Sequence, residues 1–452
     1  MRLIKKITVG FSVVMTIIIA SLIFIHKDVG KRSYYVSSEK CRECHQRFYY
    51  GWKNNTLHPY QFRPVRKPED ILGDFSSKDP ALTFDREDVE YVVGNKWEQV
   101  YVRKIDGEYY PLPAKWYIAK RKWVPYKVKD WKDTPMSRKC NGCHTTGFNP
   151  ETFEFNEFGI GCEACHGPGS LHLKNQYKVK LKRCSVCHGF SSKKQIDIIT
   201  SVNSSVCGQC HNRGTSTFQE GAQKSKFKFP VNYTPGDNIN TVFKQMSLEE
   251  DRKKKFWWGN GLSKNRHQEF ADWGKSKHSK ALVFMKQKHS EKERGKMNDK
   301  CLKCHSTDYR FAKADNKPDL DSAKFGVTCI SCHDPHGLDK VQTFKRDGTY
   351  ICGGCHIDSM SIKTFQKGRS HYPCPPGKVT CADCHMPYIV KTGGGFTIRS
   401  HAFKIVTPLE TQKFKIPNSC QNGNCHTNRS LSWAIREFNK YYLQKKNKKD
   451  HV

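Results

Sequence analysis

The chain has 452 residues, with 21 cysteines, 20 histidines and a formal net charge of +35, and only 37% of it is apolar. That length allows two or three domains, but the apolar share is low for cores built from side chains alone. The charge does not make a nucleic-acid binder, because no recognition motif accompanies it and the lysines are scattered through cysteine-bearing segments.

Residues 1–30 begin with Arg2, Lys5 and Lys6 and continue into a charge-free run over 7–25. A run of that length can cross a bilayer and exceeds most signal-peptide cores. No Ala-x-Ala cleavage pattern follows, so the expectation is an uncleaved signal anchor, with a cleaved signal as the alternative.

Residues 31–213 form a first lobe with five copies of one motif: Cys41/Cys44/His45, Cys140/Cys143/His144, Cys162/Cys165/His166, Cys184/Cys187/His188 and Cys207/Cys210/His211. Two cysteines with two residues between them, followed at once by histidine, form the attachment signature of c-type haem. The chemistry requires that spacing. Each thiol makes a thioether to one haem vinyl, and the adjacent histidine lies beneath the iron as proximal ligand. After the third copy, Gly167-Pro168-Gly169 bends the chain out of helix. That frees His172 to serve the opposite face of another iron. His58, beside Pro59, is a second distal candidate. Residues 89–113 read as a small β-hairpin turning at Asp106-Gly107, a type I′ signal. Trp116, Trp123 and their aromatic neighbours are expected to pack haem edges.

Residues 214–265 carry neither cysteine nor histidine, and turn signals at Phe229-Pro230 and Thr234-Pro235-Gly236 mark them as a connection between lobes. Residues 266–429 form the second lobe. It opens on a segment that reads as a helix presenting His267 and His278 on one side. Four regular copies follow: Cys301/Cys304/His305, Cys329/Cys332/His333, Cys352/Cys355/His356 and Cys381/Cys384/His385. An expanded copy, Cys420/Cys425/His426, has four residues between its cysteines and is read as a tenth site. His336, His371 and His401 are further distal candidates. In residues 430–452, Ser430 starts an amphipathic helix with Leu431, Ala434, Ile435, Phe438 and Tyr442 on one side. A lysine-rich tail ends the chain.

Chance would supply roughly 0.04 copies of the regular motif in a chain of this composition, so coincidence is excluded. The ten sites use every cysteine except Cys374. A disulfide framework therefore has no thiols to build from, and structural zinc would not place a histidine after each pair. About ten covalently bound haem c groups are expected. Each is a large apolar plate, which resolves the apolar deficit. Their propionates offset on the order of 20 positive charges.

Ten histidines are proximal. His58, His172, His267, His278, His336, His371 and His401 are the distal candidates, with His289 left open. They cannot fill ten distal positions. One to three haems are expected to carry a methionine, another ligand or an open position. Met136, Met246, Met285, Met297, Met360 and Met386 are the thioethers to consider.

The chain resembles the multihaem cytochrome c superfamily, which includes the tetrahaem cytochrome of ammonia oxidisers, hydroxylamine oxidoreductase and pentahaem nitrite reductase. The resemblance rests on the segments Gly161 to His172, Cys207 to Gly214, Cys381 to Pro387 and Ser400 to Phe403. Together they look most like the decahaem proteins with doubled haem motifs. The resemblance implies bis-histidine haems stacked in close pairs. The nitrite-reductase pattern Cys-x-x-Cys-Lys is absent, so a lysine-ligated catalytic iron is not implied.

The expected fold is mostly α with extensive coil around a haem-filled core. The expected function is electron transfer through the haem chain, from redox partner proteins or a quinol-linked membrane donor to an acceptor. The alternative is an oxidoreductase acting on a small nitrogen or sulfur compound at a haem with an open axial position. Covalent haem attachment takes place outside the cytoplasm, so the body is expected in the periplasm, anchored to the inner membrane by the N-terminal helix.

Overall fold

The computed structural model describes residues 33–129, 131–175, 200–219, 226–251, 253, 255–288, 299–338, 348–356, 374, 379–423 and 425–449. The anchor expected over 1–30 lies outside them, as do His289, the distal candidate His371, and all three residues of the fourth attachment site, Cys184, Cys187 and His188. Among the described residues no helix is long and apolar enough to cross a membrane.

The Asp106-Gly107 turn forms as its residue types dictate, with φ of 49° and 86° at the two positions, the left-handed pair that a type I′ turn requires. It joins β3 (Glu98–Ile105) to β4 (Glu108–Tyr117). Around this hairpin stand β1 (Arg63–Pro64), β2 (Tyr91–Val93) and β5 (Lys122–Pro125). The five make one antiparallel sheet in the order β1-β2-β3-β4-β5. The expectation of a mostly α fold is corrected by this sheet and, among the described residues, by three further two-stranded antiparallel sheets. The added strands escape sequence patterning for a physical reason. They are two to four residues long, and β1 and β5 contain proline, which sheets tolerate only at edges and strand ends.

The sheet's two faces do different work. Side chains alternate along β3. Tyr101 joins Trp116, Trp123, Leu112 and Val92 in a buried cluster on one face, where the Trp123 indole N–H donates to the Asp74 carbonyl at 2.9 Å. Trp116 and Trp123, expected at haem edges, thus fill the sheet's own core. Val102 points the other way, onto Phe62, Met136 and Cys140, so the sheet backs the second attachment site.

Short strand pairs brace other sites. Thr145–Thr146 (β6) directly follows His144 and pairs with Glu157–Phe158 (β7), just ahead of Cys162. Gly214–Ser216 (β8) pairs with Phe243–Gln245 (β9). Between those strands Phe227, Phe229 and Val231 are buried against Cys143 and Phe148. Tyr388–Lys391 (β10) pairs with Thr397–Arg399 (β11). Arg399 on β11 donates to the Ala382 and Met386 carbonyls at 2.7 and 3.1 Å and to the Asp383 carboxylate at 2.6 Å, clamping the Cys381–His385 helix. The chain closes on the helix Leu431–Lys449.

Candidate haem-attachment sites

In the described regular copies the Cys-x-x-Cys-His segment folds as one turn of helix. The turn is stated by its hydrogen bonds: the histidine N–H donates to the first cysteine's carbonyl at 2.8 Å for His45, 2.9 Å for His211 and 3.0 Å for His333. Such a turn puts both thiols and the imidazole on one side, since residues three and four apart share a helix face. Helices Cys162–His166, Asn141–His144 and Cys381–His385 repeat the arrangement. The expanded copy differs. Its chain turns through Gly423 with φ of 62°, His426 has φ of 40°, and the His426 ring lies 4.8 Å from Trp433.

Cys44 is exposed, whereas the other described cysteines are half-buried. The reason is its place in the fold. Arg42, Glu43 and His45 around it are exposed as well, so the first attachment turn lies at the surface of its lobe. Cys44 keeps the backbone geometry of the motif, its N–H donating to the Cys41 carbonyl at 3.2 Å. The fourth site gives no comparable geometry, because Cys184, Cys187 and His188 fall outside the described residues.

Four distal candidates face proximal histidines. His172 lies opposite His45 with ring centres 6.3 Å apart, His336 opposite His166 at 5.9 Å, His401 opposite His333 at 6.0 Å, and His278 near His356 at 6.2 Å. Imidazole nitrogen bonds a transition metal at about 2.0–2.1 Å and sits about 1.1 Å from its ring centre, so two imidazoles sharing one iron have centres about 6.3 Å apart. The four separations match that requirement. The residues present therefore fit bis-histidine haem.

His58 and His267 are half-buried, and among the described residues neither has a stacked partner ring. Burial pushes His58 down to about 4, with His211 also opposing its charge, and pushes His267 down to about 3. Both are thus neutral imidazoles, the form a metal binds. His144 engages the Gln61 carbonyl through Nδ1 at 3.1 Å, leaving Nε2 for iron. Among the described residues no second imidazole stacks opposite His144 or His305. Met136 and Met285, two of the methionines considered as ligands, are buried in side-chain clusters.

The thiols reveal how the sites are joined. Cys41 lies close to Cys162, Cys207 to Cys329, Cys143 to Cys210, Cys304 to Cys355 and Cys352 to Cys381. Cys374 lies beside Cys384 and Cys420. Neighbouring attachment turns therefore pack cysteine against cysteine.

Two acids escaped the motif reading. Glu163, inside the third Cys-x-x-Cys, is 1% exposed. It accepts the backbone N–H groups of Val36, Ser37 and Gly169 at 2.9, 2.8 and 2.7 Å. It ties the first described residues to the loop that delivers His172. Glu269 lies two residues after His267 and faces the His211 ring at 3.5 Å. An acid placed within or beside a ligand motif was the available signal for both.

Two family models match parts of the chain. The model of the doubled CXXCH motif matches residues 323–361, and that of cytochrome c554 and c-prime matches 118–167 and 264–334. The multiheme cytochrome MtrA of Shewanella baltica (strain OS185) is 32% identical over 107 residues, which is 24% of this chain and 29% of MtrA. The chain thus spans less than a third of that relative. The crystal structure of the outer cell wall cytochrome OcwA superposes with a TM-score of 0.72 at 30% identity, covering 89% of this chain and 86% of OcwA. An undecaheme cytochrome from the S-layer of Carboxydothermus ferrireducens gives a TM-score of 0.49 at 20% identity, over 89% and 59% of the two chains. The expected inner-membrane placement is corrected here. The similar structure is that of a cell-wall protein, and no described helix supplies an anchor.

Proposed function

Since this chain belongs to the multihaem c-type cytochromes and transfers electrons through covalently bound haem, we propose that its sites form one continuous conductor of about ten haems. The contacts between attachment turns support an order. The turn of Cys41 and Cys44 leads to that of Cys162 and Cys165. The turn of Cys207 and Cys210 leads to that of Cys329 and Cys332, and the turn of Cys352 and Cys355 to that of Cys381 and Cys384, with Cys420 and Cys425 at the end. The sites at Cys140 and Cys143 and at Cys301 and Cys304 branch off beside Cys210 and Cys355. Bound haem supplies one-electron redox chemistry at each site. The chain's own part is to tether it by two thioethers, to hold iron between paired imidazoles and to exclude water with buried side chains.

The observation that carries this reading is the set of four histidine pairs at 5.9–6.3 Å. Each pair joins an attachment turn to a histidine from another segment. The partners are redox proteins or a quinol-linked donor, met on a lysine-rich surface that steers acidic partners. The exposed Cys44 turn is the natural point of electron entry or exit. The site of action lies outside the cytoplasm, where covalent haem attachment takes place. Intact mass of the matured protein tests the reading: ten haems are expected. With nine, peptide mapping decides between loss at Cys420 and Cys425 and loss at Cys184 and Cys187.

A second reading is favoured by one observation. Among the described residues His144 has no facing imidazole, and the Arg266 guanidinium is near enough to oppose its protonation after burial has done so. The site of Cys140, Cys143 and His144 would then admit a small nitrogen or sulfur compound. Added cyanide or nitric oxide decides: a change in the visible spectrum supports an open site, and an unchanged spectrum leaves only the conductor.

A further inference from the structure

Glu269 stands among candidate ligands. Its Oε1 accepts the His267 backbone N–H at 3.2 Å. Its Oε2 faces Nδ1 of His211 at 3.5 Å and is buried with no hydrogen-bond partner of its own. The surrounding backbone keeps the acid in place. Phe270 N–H donates to the His211 carbonyl at 3.0 Å. The Phe270 ring also lies so close to Gly208 that an added Cβ would sit 2.9 Å from it. The helix Glu269–Lys275 and the attachment turn Ser205–Gly208 are thus locked together.

We infer that Glu269 is a positioning residue for the site of Cys207, Cys210 and His211, acting through His211 to lower the potential of that site's haem. The inference rests on the reading that the site carries haem. A carboxylate that takes the free N–H of a metal-bound imidazole raises the basicity of that ligand. More negative charge at the ligand stabilises the oxidised metal and lowers its potential. Location gives the effect a purpose. The site touches both the Cys143 branch and the Cys329 continuation, so it sits where the two halves of the conductor and one branch meet.

The test uses the full chain matured with haem, comparing wild type with Glu269→Gln and Glu269→Asp by spectropotentiometry and electron paramagnetic resonance. Removing the charge in Glu269→Gln is expected to lower one haem's oxidised-to-reduced ratio about tenfold at fixed potential, a positive shift of about 59 mV for a one-electron couple. The g-values of that haem move with it, while the other haems keep theirs. Glu269→Asp retains the charge and is expected to keep the wild-type potential to within about twofold in that ratio, which separates charge from packing. If Glu269→Gln fails to accumulate, Glu269→Asn carries the same measurement. Ratios unchanged in the neutral variant overturn the inference. A Cys207–His211 peptide without haem mass overturns the reading beneath it instead.

Discussion

His166 and His336 face each other with ring centres 5.9 Å apart and planes 12° from parallel. One belongs to the third attachment turn and the other to the loop after the seventh. The pair therefore joins two segments far apart in the chain, and under the proposed function it holds one iron. The His336→Ala variant is expected to convert one haem from low-spin to high-spin and to make it bind cyanide. Electron paramagnetic resonance reads this directly. Retention of an all-low-spin wild-type spectrum at that site would refute the pairing.

Glu163 is the next point of leverage. Its carboxylate takes three backbone N–H groups from two separate segments. Ser170 reinforces the same junction by accepting the Tyr34 N–H at 2.9 Å. Leaving a buried donor unsatisfied costs about 1–3 kcal/mol, more where the lost partner is charged. Glu163→Ala is expected to destabilise the protein by about 3–5 kcal/mol, and Glu163→Gln by roughly half, since the amide keeps one acceptor. Thermal unfolding gives the magnitude. Loosening of the loop that carries His172 is also expected to weaken ligation opposite His45, visible as a second high-spin signal.

These two cases show what the residues disclose and what they do not. The cysteine pairs and proximal histidines are legible because thioether spacing is covalent chemistry and leaves its mark at fixed separations. That mark does not say how deep a site lies, and so the exposure of Cys44 could not be read from it. His172, His278, His336 and His401 are legible as candidates, set in turns and helix ends, but not as partners. Pairing is decided by packing between segments far apart in the chain. The Asp106-Gly107 hairpin announces itself through turn chemistry, whereas β2 and β5 need the hairpin already in place to pair with, and β1 needs β2. The aromatic crowding at Trp116 and Trp123 suits a haem edge or a sheet core equally, and only the burial of Tyr101 and Leu112 beside them decides.

Asp272 predicts a pH dependence. It is 2% exposed and accepts hydroxyl hydrogens from Ser263 at 2.7 Å and Ser400 at 3.2 Å. Burial raises its pKa from 3.8 to about 6. The folded protein therefore holds this proton more tightly than the unfolded chain does. The stability it confers is complete below about pH 4 and is lost as pH rises through about 6. A gap of about two units corresponds to about 3 kcal/mol. Thermal midpoints are expected to fall between pH 4 and 6 in the wild type. Asp272→Asn, which keeps the hydroxyl partners without the titration, should flatten that part of the curve. An equal slope in both proteins would assign the pH dependence to other groups.

Gly51 offers a prediction whose sign separates two effects. It lies inside the helix Gln46–Asn55, where alanine is normally preferred to glycine by about 1 kcal/mol. Its missing side chain is what lets the His336 loop approach: a Cβ there would lie 2.5 Å from the His336 carbonyl oxygen and 2.9 Å from Leu338. The contact is reciprocal, since Gly337, at φ of 65°, sits against the Gly51 carbonyl, and Asn55 donates to the Gly337 carbonyl at 2.8 Å. Forcing a methyl group into such a contact costs about 1–3 kcal/mol, and backbone on the far side cannot swing away as a side-chain tip would. The collision outweighs the helix preference. Gly51→Ala is expected to lower the thermal midpoint and to displace His336 from His166, giving the same high-spin signal as His336→Ala in milder form. A more stable protein with an unchanged spectrum would mean that helix preference wins and that the loop is free to move.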